Sequence, residues 1–385
     1  MTSSSLFAPS SSPDVNTVIK SEPDTAPQIC SEYWFTDGNI VLVAGSSLFK
    51  VHRGQLERHS EVFRDLFSIP QPKEQDSVHG AACIQLYDNP SDVFYLLKAL
   101  YDGMYFKQPY SAEFPFLAAV LRLSTKYLIY NLRECCLARL AHDFPATLEG
   151  WDLREKAVTD MNGRYGPRER IPSPILVINL ARELDLKEIL PAAFYDLSRY
   201  GTSKTVLGTP TPAVEFKVLE TQEAPTVFLA HNDLVNTFRG REAAQRSVAS
   251  FISKELSDRP ISVSCAHRND EHGKLCRESF YFILLNTLRS VGGIASGRDA
   301  DPLYTLLQAI DMLHRTDFSD GERMCGLRMC CFCKLDFAGA VKRAREQIWR
   351  EIPGWFGVEG FEKMGSGRDV QGDVSACAPD AQMAS

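Results

Sequence analysis

Between Asp37 and Phe67 the chain carries its most informative pattern of hydrophobic and polar positions. Ile40, Leu42 and Ala44 alternate with Val41 and Val43, the period-2 pattern of a buried strand. Gly45, Ser46 and Ser47 make a short polar turn, and Leu48 to His52 supply the return strand. Two short helices are predicted next. Ser60 stands where an N-cap belongs, its hydroxyl placed to accept from an orphan backbone N–H. Val62, Phe63, Leu66 and Phe67 then repeat at helical spacing and form one apolar face. A third strand is predicted over Ile84 to Tyr87. Asn89-Pro90 opens a helix whose core side is Val93, Leu96, Leu97 and Leu100, because proline lacks a donor that the first helical turn does not need. Two more helices are predicted around residues 116–124 and 129–141.

Beyond residue 145 the pattern changes. Residues 146–172 hold turn chemistry, Asn162-Gly163, Gly166-Pro167 and Pro172, and read as a linker. Residues 173–363 read as mostly helical. Ser173 and Pro174 start a helix with Val177, Leu180, Ala181 and Leu184 on one face. Pro191 begins another, ending near Tyr200 with Gly201 as a left-handed cap. A Thr/Pro-rich loop over 202–226 precedes helices around 228–239, 242–256, 276–291 and 302–314. A last helix runs from about Cys330 to Ile352, where Pro353-Gly354 stops it and Trp355-Phe356 folds back. Residues 1–30 and 364–385 are polar tails that bury too little apolar area to offset chain entropy and are expected to be disordered. No internal repeat of fixed period is present.

Composition narrows the function classes. A length of 385 residues suggests two or three domains, and 44% hydrophobic with 24% charged residues is ordinary for a soluble globular protein. A net charge of −7 argues against a chain dominated by nucleic-acid binding. Lys342, Arg343, Arg345 and Arg350 share a predicted helix, but Glu346 and Glu351 interrupt them, so that helix reads as a solvated face. No apolar run reaches the roughly 18 residues of a membrane span, and no secretory signal opens the chain. Eleven cysteines in a chain of this kind read as reduced thiols of an intracellular protein, in cytoplasm or nucleus.

The order of these elements carries a resemblance. With Val51-His52-Arg53 after the first hairpin, Ser60-Glu61-Val62-Phe63 at the second helix and LYDGMYF at 100–106, residues 31–145 resemble a BTB/POZ domain. The resemblance implies an α+β domain that forms a homodimer and assembles with other proteins, followed here by a mostly α-helical C-terminal domain. It also implies a charged pocket at the dimer interface, built from an acidic residue before the first strand and an arginine after the histidine. Arg53 matches, but the position thirteen before His52 is Asn39, and Asp37 lies two residues earlier. His52 itself is expected to be a satisfied histidine near the core. Cullin-binding members carry an apolar-x-Glu motif after the second short helix; Pro72-Lys73-Glu74 is the near match here. The segment IWREIPGWFGVEGF (348–361) looks like the C-terminal region of fungal BTB-domain proteins.

Three further patterns bear on chemistry. Cys330 and Cys333 form a C-x-x-C pair, and Cys265 and Cys276, with His267 and His272 nearby, form a looser cluster. If Cys265, Cys276, Cys330 and Cys333 converged they could hold zinc, which favours thiolate and imidazole. The Cys265/Cys276 cluster lacks C-x-x-C spacing, and cysteines at a helix start often pack as small hydrophobes, so no metal or other cofactor is expected. Ile19-Lys20-Ser21-Glu22 fits the short consensus for SUMO attachment at Lys20, a pattern that also arises by chance in solvated tails. Nucleophile-elbow, zinc-protease and dinucleotide-binding motifs are absent. The sequence therefore reads as a non-enzymatic interaction protein. It would be a dimeric adaptor for a cullin-type ubiquitin ligase with an unidentified protein client, or alternatively a transcription-associated or structural scaffold. Neither membrane nor direct nucleic-acid binding is expected.

Overall fold

The computed structural model describes residues 28–70, 77–106, 110–162, 164–216, 225–269, 273–290, 300–316, 318–319 and 324–358. Lys20, His272, Pro72-Lys73-Glu74 and nearly all of the two expected tails lie outside the described residues. The described residues divide into two compact units, one of residues 28–53 and 77–90, the other of the remainder.

The first unit is a five-stranded sheet of β1 (Gln28–Trp34), β2 (Ile40–Ala44), β3 (Ser47–Val51), β4 (Ser77–Val78) and β5 (Ala81–Leu86), in the order β1-β3-β2-β5-β4. β2 lies at its centre. It pairs antiparallel with β3, Leu42 opposite Phe49, and parallel with β5, Leu42 opposite Ile84. A central strand buried on both faces needs apolar residues at every position, which β2 supplies. One face gathers Val41, Leu48 and Ala81 with Trp34, Val43, Val78 and Cys83; on the other, Ile40, Leu42, Ala44, Phe49 and Val51 are all buried. The two-residue loop Gly45-Ser46 closes the hairpin with Gly45 at φ 53°, the left-handed geometry that suits strand twist. The edge strands β1 and β4 are additions to the sequence reading. The third predicted strand begins three residues earlier than expected and stops at Leu86, leaving Tyr87 exposed.

The second unit is helical. α1 (Arg53–His59) starts at the boundary, and α2 (Glu61–Ser68) follows. Ser60 caps α2, accepting from the Phe63 N–H at 3.0 Å, and its own hydroxyl donates to the Tyr127 carbonyl at 2.6 Å. Phe63 is 1% exposed and stacks on Tyr127 with centroids 4.6 Å apart. α3 (Pro90–Tyr101), α4 (Phe114–Lys126) and α5 (Tyr130–Asp143) follow the predicted order. α3 and α4 bind elements far along the chain. Phe94 stacks on Phe216 at 4.9 Å, the Glu215 N–H donates to Tyr95 at 2.8 Å, and Arg122 donates to Glu183 at 2.7 Å.

Residues 146–172, expected as a linker, carry α6 (Leu148–Ala157) and the short α7 (Pro167–Arg170). The physical reason is charge and aromatic packing that turn residues do not advertise. Trp151 is buried, with the Arg154 and Arg199 guanidinium groups over its ring at 4.5 and 4.8 Å. Arg154, Arg168 and Arg199 all donate to the fully buried Asp196, Arg154 at 2.6 Å and Arg199 at 2.7 Å. Arg199 also reaches Glu155 at 2.8 Å and Asp301 at 3.0 Å. Burial pushes the Asp196 carboxyl up, but the three guanidinium groups overcome it and hold the group well below the usual carboxylate range.

α8 (Pro174–Glu183) leads to α9 (Leu190–Ser198), every residue of which is buried. Gly201, expected as a left-handed cap, has φ −59° and instead precedes α10 (Thr202–Val206). β6 (Thr209–Pro210) and β7 (Thr226–Val227) pair across the Thr/Pro-rich stretch. α11 (His231–Phe251) is one helix where two were expected, and it passes through Gly240 unbroken. A Cβ at Gly240 would meet the Phe356 ring at 1.9 Å, so the glycine permits a close approach rather than a break. A π-helical turn, Ile252–Leu256, ends this segment. α12 (Lys274–Ser290), α13 (Pro302–Asp311), the β8 (Phe318–Ser319) and β9 (Met324–Cys325) pair, and α14 (Cys331–Trp355) complete the order. α14 runs through Pro353 to Trp355, beyond the predicted stop, and Phe356 packs on Phe194 at 5.5 Å. α9 packs against α8, α11 and α14 and forms the centre of this unit.

Candidate interaction surface and candidate metal centre

The loop before β2 and the end of β3 bring the candidate pocket residues together. The Asn39 side chain accepts from the Arg53 N–H at 2.8 Å, satisfying an orphan donor at the start of α1. Asp37 reaches His52 Nε2 at 3.2 Å. That hydrogen bond, the largest influence on it, holds the exposed Asp37 carboxyl below its ordinary value. His52 also lies beside Phe35, ring centroids 5.0 Å apart, and is about one-third exposed. It is a half-buried residue with a carboxylate partner. Arg53 is exposed.

The four candidate cysteines converge. Cys265 comes from the loop 257–269, Cys276 from the first turn of α12, Cys330 is the N-cap of α14 and Cys333 lies in its first turn. All four are buried free thiols, and their sulfur atoms lie within 4.8 Å of one another. Cys265 Sγ is 3.7 Å from both Cys276 Sγ and Cys330 Sγ. Backbone N–H groups point at three of the sulfurs: Ser262 to Cys333 and Cys330 to Cys276, each at 3.4 Å, and Cys333 to Cys330 at 3.5 Å. Burial opposes ionisation of Cys330, but the N–H groups of Cys333 and Ala266 and the neighbouring thiols outweigh it and bring the group down to about 6. Burial pushes Cys276 up to about 11 and Cys333 higher still. His267 is not part of the cluster.

The model of one protein family matches the chain over residues 34–143, with its start before β2 and its end at the close of α5. Residues 34–143 are a BTB/POZ domain. The match covers under a third of the chain and gives the N-terminal part a protein-interaction role. No curated protein and no solved structure matches the chain. Within residues 34–143, Ser60 caps α2 and Phe63 is buried. Asn39 engages the Arg53 backbone and Asp37 engages His52.

Sequence reading missed the charge-bearing residues of the helical half. Arg345, grouped with a solvated basic face, is 9% exposed and forms a two-point ion pair with Asp152, one contact at 3.1 Å. Lys342, Arg343 and Arg350 are exposed. The signal for Arg345 was its helical phase: it lies four residues from Val341 and three from Ile348, on the buried stripe. Asp152 and Asp196 gave no such signal, because carboxylates on helices usually mark the wet side. Among the described residues no helix is long and apolar enough to cross a membrane.

Proposed function

We propose that this chain is a non-enzymatic adaptor that self-associates through its BTB domain and holds a protein client on its helical half. A cullin-type ubiquitin-ligase scaffold is the shared partner in this reading, and the site of action is cytoplasm or nucleus. The observation that carries it is the BTB/POZ domain at residues 34–143. Support comes from the exposed side chains of Asp37 and Arg53, with half-buried His52 against Asp37. Further support is the packing of α3 and α4 with residues 215–216 and with α8, which ties the domain's helices firmly to the body that would carry the client. The C-terminal likeness to fungal BTB-domain proteins fits the same layout.

Two measurements on the full-length chain test this. Sedimentation at micromolar concentration is expected to give a dimer, and binding to a purified cullin N-terminal domain is expected to be saturable. A dimer that ignores the cullin leaves the scaffold reading. A monomer at that concentration overturns self-association altogether.

A further inference from the structure

We propose that Cys265, Cys276, Cys330 and Cys333 bind one zinc ion in a closed tetrathiolate site that staples the loop 257–269 to the N-termini of α12 and α14. The geometry carries the inference. Four sulfurs about 2.3 Å from a tetrahedral zinc lie about 3.8 Å from one another. Cys265 stands 3.7 Å from both Cys276 and Cys330, and no pair of the four exceeds 4.8 Å. Disulfide pairing does not produce this arrangement, because a bonded pair would draw to about 2 Å and leave the other two sulfurs outside it. Apolar packing does not require it either, since thiols used as small hydrophobes have no reason to gather four sulfurs within 4.8 Å of one another.

The surroundings fit the same ion. Three backbone N–H groups, of Ser262, Cys330 and Cys333, point at sulfur, and they would spread the negative charge that four thiolates leave on a divalent ion. All four ligands are buried, so no coordination position faces water, as in structural rather than catalytic sites. Tetrahedral sulfur coordination suits zinc or iron; the proposal is zinc, and iron is a distinct outcome. Ten residues separate Cys265 from Cys276, and the Cys330/Cys333 pair follows more than fifty residues later. Metal binding therefore adds its free energy to folding of this corner of the helical half.

The test uses full-length protein purified under reducing conditions without added metal. Elemental analysis is expected to find about one zinc per chain, as a four-ligand site requires. Cobalt exchanged for zinc should give the visible absorption of a tetrahedral thiolate complex. Cys276→Ser and Cys333→Ser should each lose the metal, while Cys331→Ser, an exposed neighbour on the same turn, should keep it. A zinc chelator should lower the melting temperature of the parent chain and leave that of Cys276→Ser unmoved. Should the ligand variants fail to fold, the parent chain's zinc content and cobalt spectrum still decide the matter. Metal-free parent protein with four titratable thiols, a Cys265–Cys276 disulfide, or iron in place of zinc would each overturn the proposal.

Discussion

Asp196 accepts from three arginines in a place no water reaches. Removing one partner of such a cluster leaves charge buried and unpaired, so Asp196→Asn should destabilise the fold by about 3–5 kcal/mol in chemical denaturation. The pH dependence has a definite sign. The folded carboxyl titrates well below its unfolded value of about 3.9, so its stabilisation is complete above that pH and is lost as pH falls below it. The difference between parent and Asp196→Asn should therefore be constant from pH 5 to 7 and shrink below about pH 4; a difference that grew on acidification would refute the pairing. Phe63 gives a simpler case. Its ring is buried and stacked on Tyr127, and Phe63→Ala should cost about 3–5 kcal/mol. A loss under about 1 kcal/mol would be that of a surface residue. Phe63 was legible because its apolar neighbours repeat at helical spacing. Asp196 was not, because hydrophobic patterning carries no information about which carboxylates are paired.

At the scale of elements, most helices and the central hairpin were legible, and the misplaced helix breaks share a cause. Glycine and proline were read as punctuation, whereas tertiary packing gave them other work. Gly240 sits inside α11 because Phe356 needs the space, and Pro353 lies in the last turn of α14. Gly240→Ala decides between the two roles. Helix propensity alone predicts a gain of about 1 kcal/mol. A Cβ 1.9 Å from the Phe356 ring must displace it, and overpacking of this kind costs about 1–3 kcal/mol or more. A net loss in melting temperature is expected, and a gain would mean that Phe356 moves freely. The edge strands β1 and β4 escaped notice for another reason. β1 alternates weakly and its register shifts between Ile29 and Trp34, and β4 has only two residues. The four-cysteine cluster was half legible: C-x-x-C marks one pair, but the ten residues between Cys265 and Cys276 hide the other behind a loop.

For the whole molecule, the sequence suggested two modules joined by a cleavable linker. α6 and α7 occupy that stretch. Arg154 donates to the Asp143 carbonyl at 3.0 Å, and Trp349 donates to the Ala146 carbonyl at 3.0 Å. Limited proteolysis is expected to spare α6, residues 148–157, while the chain is folded. Cleavage within it that released two separately folded fragments would favour the modular picture. Gly, Pro, Asn and Asp punctuate this stretch, but the partners of Arg154 and Ala146 lie some 40 to 200 residues away, which local pattern does not register.

Residues 215 and 216 reach α3 across a sequence gap of 120 or more residues. A ribosome adding about 5–20 residues per second needs roughly 6–24 s to cross that gap. Throughout that interval Phe94 and Tyr95 of a nascent chain lack their contacts with residues 215 and 216, although Tyr95 can already meet Phe116. That delay leaves this part of α3 open to premature association. Newly made chains should therefore depend on chaperones during synthesis more than the mature protein's stability would suggest.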